Sequence, residues 1–289
     1  MNPSVAAIVL TYNEEKYIRE CLESLSWCDE IWVVDSQSTD RTVDICQRYT
    51  SNVATHPFRD YADQRNWALD KLPVKSQWVL FVDSNERVPL QTQQAIHQTL
   101  MREQAKFAGY LIPRLQYFWG QPLRHSDAWP QYRLILFQKG LGHFYDEVIV
   151  HERVELKGKF ALIKEPMVTI MRDSLSEFVN TFNRQSDLEA ERMYLTGAGM
   201  FSPKYRSYSR WNQLLKTVFQ YLPFKPLFRF LYLYVIKQGF RDGYRGYLYA
   251  AMLSFYVFAS YTKLWELKNG LVAPKGPVKG KAQSKLGSA

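Results

Sequence analysis

Residues 78–86 read WVLFVDSNE. Five consecutive apolar residues, Trp78 to Val82, give way at once to Asp83, Ser84, Asn85 and Glu86. So short an apolar run reads as a strand buried on both faces. The figure occurs twice upstream. Val5–Leu10 is apolar and is broken by TYNEE, and Ile31–Val34 is apolar and is ended by DSQSTD. Helical signals separate the runs. Glu14–Leu25 carries Tyr17, Ile18, Cys21, Leu22 and Leu25 as a stripe, and Thr39 or Asp40 can cap a helix over Arg41–Tyr49. Asp63–Leu72 reads as helical, Pro89 opens a further helix over about Leu90–Glu103, and Asn52–Thr55 is a weaker strand. Strands alternating with helices predict an α/β fold with a mostly parallel, Rossmann-like sheet flanked by helices. Ligands of such sheets bind outside the carboxyl ends of the strands, where this chain has Thr11, Asn13, Asp35, Asp83 and Glu86.

Further along, Tyr110–Pro113 and Tyr132–Phe137 add strands. Between them residues 117–131, YFWGQPLRHSDAWPQ, read as a loop facing a ligand. Two strands are expected near Val148–Leu156 and Lys164–Met171, then a helix over Ser176–Leu195.

The length of 289 residues and 46% hydrophobic content fit one large or two small globular domains. Cys21, Cys28 and Cys46 have no zinc-like spacing and read as reduced thiols of a cytosolic protein. The N-terminus has no basic stretch before its short apolar run, which reads as a strand and not as a leader. The net charge of +9 is unevenly placed: Met1–Ala198 holds 22 Lys/Arg against 26 Asp/Glu, and Gly199–Ala289 holds 15 against 2. In that basic third, Lys216, Lys225, Arg229, Lys237, Arg241, Arg245 and Lys263 bracket the aromatic stretches Phe230–Phe240 and Gly246–Thr262. The uncharged part, Gly246–Tyr261, falls short of the roughly 20 residues of a spanning helix. The pattern suits helices lying on an anionic membrane surface, at the cytoplasmic face. The expected organisation is a catalytic domain over residues 1–198, a helical membrane-associating region over 199–268 and a disordered basic tail over 269–289. Basic charge among Tyr and Phe also suits nucleic-acid binding. That reading leaves the polar clusters unexplained, and nucleic acid is not expected as a partner.

Four groups carry chemistry. Asp83 at a strand end suits a divalent cation, Mg²⁺ or Mn²⁺, that bridges two phosphates, although Asp, Ser and Asn also favour plain turns. Asp35 can accept hydrogen bonds from a base or ribose. Ser38, Thr39 and Asp40 can cap the next helix without it, which would leave Asp35 free. Arg65, in Gln64-Arg65-Asn66, can reach phosphate, but taken alone the trio reads as a solvated helix face. Glu152, in Val150-His151-Glu152, suits a general base that takes an acceptor hydroxyl proton. Asp146 and Glu147 lie close to it in sequence, and His151 reads as a base, a metal ligand or a packed ring.

The ordered set TYNEE, DEIWVVDSQSTDRT, QRN, WVLFVDSNE, RLILF, VHE and GFRDGYRG resembles glycosyltransferase family 2, the inverting enzymes of GT-A fold. It is most similar to the subgroup of lipopolysaccharide-core β-1,4-glucosyltransferases, over roughly Ser4–Lys263. The resemblance implies transfer of a hexose from a nucleotide sugar, a UDP-sugar first, to a lipid-linked or glycolipid acceptor. It implies that Thr11, Asn13 and Glu14 cup the base, that Asp35 contacts base or ribose, and that Arg65 and Asp83 reach the nucleotide. It gives the metal to Asp83, Asn85 and Glu86, and catalysis to Glu152 with His151. The subgroup reads Asp-Ala-Asp-Glu where this chain has Asp83-Ser84-Asn85-Glu86. An amide oxygen at 85 brings no charge, so either metal affinity falls or Glu86 or His151 helps. A degenerate member acting as a scaffold is the alternative that Asn85 motivates.

Overall fold

The computed structural model describes residues 3–103, 106–144, 154–171, 174–197, 199–200 and 224–274. The apolar runs form one half of the main sheet. Strands β1 (Val5–Thr11), β2 (Glu30–Asp35), β3 (Val53–Thr55) and β4 (Trp78–Asp83) lie parallel in the order β3-β2-β1-β4. Val5 to Val9 and Trp78 to Val82 are buried without alternation because both faces of these strands are covered. The chain steps outward from β1 to β2 and β3, then returns to the other side of β1 for β4. That reversal makes a switch point, and Thr11, Asp35 and Asp83 end the three strands around it.

The other half is mixed. The short β5 (Glu86–Arg87) is followed by β6 (Gly109–Phe118), β7 (Gln121–Pro122) and β8 (Gln131–Gln138). Next come β9 (Gly142–Phe144), β10 (Val154–Leu156), β11 (Phe160–Leu162) and β12 (Met167–Ile170). The sheet continues from β4 through β8, β6 and β12 to β5, with β8 antiparallel to both β4 and β6. Strands β9 and β10 pair separately, Phe144 opposite Val154. The strand expected over Val148–Leu156 is described only from Val154, and β11 had no expectation behind it. It is an edge strand of three half-exposed residues, too short to carry a pattern.

Helix Leu90–Glu103 has the expected bounds. The first two helices are shorter than their stripes, Ile18–Glu23 and Thr42–Cys46. The third, Tyr61–Lys71, begins earlier than expected because Asp60 caps it, its carboxylate accepting the Asp63 N–H at 2.8 Å. The Ser176–Leu195 expectation corresponds to Leu175–Thr196. The three cysteines are free thiols.

The chain divides into two compact units, Met1–Val179 with Phe230–Ala251 and Asn180–Arg229 with Met252–Ala289. In the first, the loop over residues 117–131 is pinned to the GFRDGYRG segment. Asp242 accepts the backbone N–H groups of Arg124 and His125, at 3.1 and 2.8 Å, and sits 2.7 Å from His125 Nδ1. Two glycines of the segment permit this packing. A Cβ on Gly239 would strike Ser126 and the Leu233 carbonyl, and one on Gly246 would strike the Gly239 carbonyl. The loop expected to face a ligand is therefore held by the fold. In the second unit Lys263 reaches Asn183, Ser186 and Asp187 beside a small core of Ala190, Met193, Leu264 and Leu267. Among the described residues no helix is long and apolar enough to cross a membrane.

Candidate functional site

Two groups of polar residues stand at the switch point. The first is built by the loops after β1 and β2. Thr11 and Asp35 are register partners, and both are buried. Asp35 is not left free as expected. Its two oxygens accept from the backbone N–H (2.8 Å) and hydroxyl (2.5 Å) of Ser38. Each oxygen keeps a lone pair, so the carboxylate is fixed in place and still able to accept. The buried Thr11 hydroxyl has no hydrogen-bond partner among the described residues. A buried orphan hydroxyl beside a fixed carboxylate is what a ligand's polar edge would satisfy.

Asn13 and Gln37 both hold left-handed backbone, φ 53° and 65°, a conformation Asn adopts more readily than most residues. Their loops clasp each other: Asn13 N–H donates to the Ser38 hydroxyl, and Thr39 N–H donates to Asn13 Oδ1. Asn13 therefore shapes the wall, its amide oxygen already used. Glu14 is anchored through its own N–H to the Thr42 hydroxyl at 2.7 Å.

The second group joins the carboxyl end of β4 to the middle of β6 and the start of β8. Asp83 Oδ1 is 2.9 Å from Arg65 Nη2, and its Oδ2 is 3.4 Å from Arg114 Nη2. Arg114 also closes on Glu86, with Nε 2.6 Å from Oε1 and Nη2 3.2 Å from Oε2. Glu86 is wholly buried, and it also accepts the Asp83 N–H and the Thr169 hydroxyl. Asp83, at 37% side-chain exposure, is the carboxylate of the cluster that meets solvent. Burial raises the acid pKa at Asp83, but Arg114, Arg65 and Arg133 outweigh it and hold the carboxyl below its ordinary range. At Glu86 burial wins over Arg114, and Asp83 adds to it, so that carboxyl sits above its ordinary range.

Arg114 and Arg133 carried no assigned role in the sequence. Their meeting depends on a β-bulge. Strands β6 and β8 pair Tyr110 with Leu136 but Leu111 with Leu134, so Ile135 is the extra residue. Past it Arg133 faces Ile112 and Gln131 faces Arg114. Without the bulge those places would fall to Leu134 and Tyr132. One inserted residue turns Arg133 to the Arg114 side of the sheet. Arg133 makes no ion pair or hydrogen bond among the described residues, and burial and then Arg114 pull it below its ordinary value. A guanidinium so placed stays charged.

The Gln64-Arg65-Asn66 trio is a correction: all three are buried, not solvated. Consecutive helical residues point about 100° apart, so this helix is covered around more than half its girth. Gln64 donates to the Ser36 hydroxyl and the His56 carbonyl, Arg65 meets Asp83, and Asn66 exchanges two 2.8 Å hydrogen bonds with the Phe144 backbone. The Arg65 guanidinium also lies 5.4 Å from the Phe144 ring centre. Asn66 thus fixes the strand that leads toward His151 and Glu152. Those two residues, with Asp146 and Glu147, lie outside the described residues.

The three residues that the resemblance gives to a metal do not fit one as arranged. Both Asp83 oxygens and the Glu86 carboxylate are engaged by arginines. Asn85 Nδ2 donates to the Ile170 carbonyl at 2.8 Å, while the Ile170 N–H donates to the Asn85 carbonyl at 2.9 Å. The side-chain amide extends the β5–β12 ladder by one bond that a carboxylate could not make. Among the described residues no three His, Cys, Asp or Glu gather as a metal set.

A family model described as glycosyl transferase family 2 matches residues 6–152, half of the chain. The lipopolysaccharide core biosynthesis glycosyltransferase LpsC of Rhizobium meliloti (strain 1021) is 25% identical over 268 residues, covering 91% of this chain and 92% of its own. The uncharacterized glycosyltransferase RT0209 of Rickettsia typhi is 24% identical over 273 residues, covering 91% of this chain and 87% of its own. Among solved structures, Staphylococcus aureus TarS 1–349 in complex with UDP superposes with a TM-score of 0.44 at 17% identity, covering 96% of this chain and 95% of that one.

Proposed function

The chain belongs to glycosyltransferase family 2, and from that membership we propose that it transfers a hexose from a nucleotide sugar, a UDP-sugar first, to a glycolipid of the cell envelope. The carrying observation is the switch point, where the orphan Thr11 hydroxyl and the fixed Asp35 carboxylate stand on one side and the Asp83–arginine cluster on the other. A base or ribose suits the first, and a diphosphate suits the second. Asn13 and Glu14 shape the base pocket from its wall.

In this reading the acceptor hydroxyl gives its proton to Glu152 as its oxygen attacks the anomeric carbon. The bond from that carbon to the β-phosphate oxygen breaks on the opposite face, so the configuration inverts and the nucleoside diphosphate leaves. His151 shares the catalytic role with Glu152 in this reading. Asn66, by holding Phe144, anchors one end of the connection that carries both residues. The name of LpsC, lipopolysaccharide core biosynthesis, supports an envelope acceptor. Exposed Ile236, Phe240 and Tyr244 in the first unit, and Phe224, Phe258 and Trp265 in the second, support peripheral docking on the cytoplasmic face of a membrane.

A thermal-shift panel of nucleotide sugars tests the reading. A ligand at 100 times its dissociation constant stabilises the native state by about 2.7 kcal/mol. One donor, a UDP-sugar first, should raise the melting temperature, and the rise should shrink in Asp35→Ala. If no nucleotide or nucleotide sugar shifts the melt, with or without Mn²⁺, the reading fails.

A further inference from the structure

We infer that arginines, and not a divalent cation, neutralise the diphosphate in this chain: Arg114 and Arg133, seated beside Arg65 and Asp83, form a metal-independent phosphate clamp. This rests on the reading of the site as a nucleotide-sugar pocket.

The positions that would hold a cation have other employment. Asp83 is shared between Arg65 and Arg114, Glu86 is wholly buried against Arg114, and Asn85 completes a strand ladder. The local charge is also of the wrong sign for a cation. Among the described residues Arg65, Arg114 and Arg133 face Asp83 and Glu86, three positive groups against two negative ones. A second aspartate at position 85 would have cancelled the excess, and the neutral Asn85 leaves it in place. The excess suits an anion.

Donors remain to meet one. Asp83 and Glu86 accept from Arg114 Nη2, and Glu86 lies against its Nε, which leaves Nη1 uncommitted among the described residues. The whole Arg133 guanidinium is uncommitted among them, and it is half-buried where phosphate contacts are strongest. Its planar fork matches two phosphate oxygens at once, which a lysine cannot do. Asp83 then acts as the counter-ion that holds Arg65 and Arg114 in place, and its exposed edge lies at the mouth of the clamp. The bulge at Ile135 becomes a functional feature, since it alone brings Arg133 to this side.

Calorimetric titration of the purified full chain decides the matter. UDP, ADP, GDP and TDP are each compared with their monophosphates, first in EDTA and then in excess Mn²⁺. The expected result is that one diphosphate binds at least about tenfold tighter than its monophosphate in EDTA, one charge-assisted contact's worth. Mn²⁺ should change that affinity by no more than about threefold, a spread within ordinary context dependence of one such contact. Arg133→Ala should lose about tenfold for the diphosphate and little for the monophosphate, and Arg133→Lys should recover part of the loss. Arg133 has no ion pair to break among the described residues, so its removal should leave the melting temperature near native. If Arg133→Ala does not fold, the native titration and Arg133→Lys still decide. Diphosphate binding that appears only with Mn²⁺, or that is unchanged in Arg133→Ala, overturns the clamp and leaves the donor reading standing. Absence of binding in either buffer removes the donor reading and the clamp with it.

Discussion

Glu86→Ala should be the most destabilising single change at the site, by about 3–5 kcal/mol. Glu86 is wholly buried and carries three duties: it pairs with Arg114, accepts the Asp83 N–H and accepts the Thr169 hydroxyl. A buried ion pair gives little stability over an apolar pair, and the raised Glu86 pKa agrees with that. Breaking the pair is another matter, because Arg114 is left charged in a poorly solvated place. For a chain of this size the melting temperature should fall on the order of 10 °C. Glu86→Gln keeps the shape and an acceptor oxygen and should lose roughly half as much, a scale set by the hydrogen bonds it retains. Equilibrium urea unfolding of both variants checks this. A loss under about 1 kcal/mol in Glu86→Ala would mean that Arg114 reaches water, and that the cluster is looser than its distances imply.

Asn66→Ala follows from the same logic applied to backbone. It strips the partners from the buried N–H and C=O of Phe144, at about 1–3 kcal/mol for each group. A total of about 2–4 kcal/mol is expected once partial relaxation is allowed. The functional effect should be larger than the stability effect. Phe144 is the last described residue before the segment carrying His151 and Glu152, and its register partner Val154 is the first after it. Loosening that base should lower kcat by about a hundredfold, since small misplacements of a catalytic group cost that much. KM for the nucleotide sugar should change little, because the two hydrogen bonds lost run to the Phe144 backbone and not to Asp35 or Asp83. Steady-state kinetics well below the variant's melting temperature separate the two. A rise in KM at unchanged kcat would place Asn66 in donor binding instead.

The half of the fold that holds the site was legible because each of its strands is its own signal. Val5–Leu10, Ile31–Val34 and Trp78–Val82 are apolar throughout, and their polar ends marked Thr11, Asp35 and Asp83 without reference to anything distant. What was not legible depends on pairing. Arg114 lies in the middle of a strand and Arg133 at the head of RLILF, and only the Ile135 bulge sets them on one side. No local pattern records a register shift. Gln64, Arg65 and Asn66 read as a solvated face because polarity predicts exposure, and the rule fails where each polar group has a buried partner waiting. Asn85 read as a weakened metal ligand, since the Ile170 carbonyl that uses its amide lies 85 residues further on.

The central claim is that Asp83 organises a donor site at the switch point of a family 2 glycosyltransferase. Release of nucleoside diphosphate from a panel of nucleotide sugars, followed with the purified chain and with Asp83→Ala, tests it most directly. The native chain should release the diphosphate slowly from at least one donor, even with water as acceptor. Asp83→Ala, which removes the carboxylate that Arg65 and Arg114 share, should be slower by about a hundredfold or more. Equal rates in the two proteins, or no release from any donor, would contradict it.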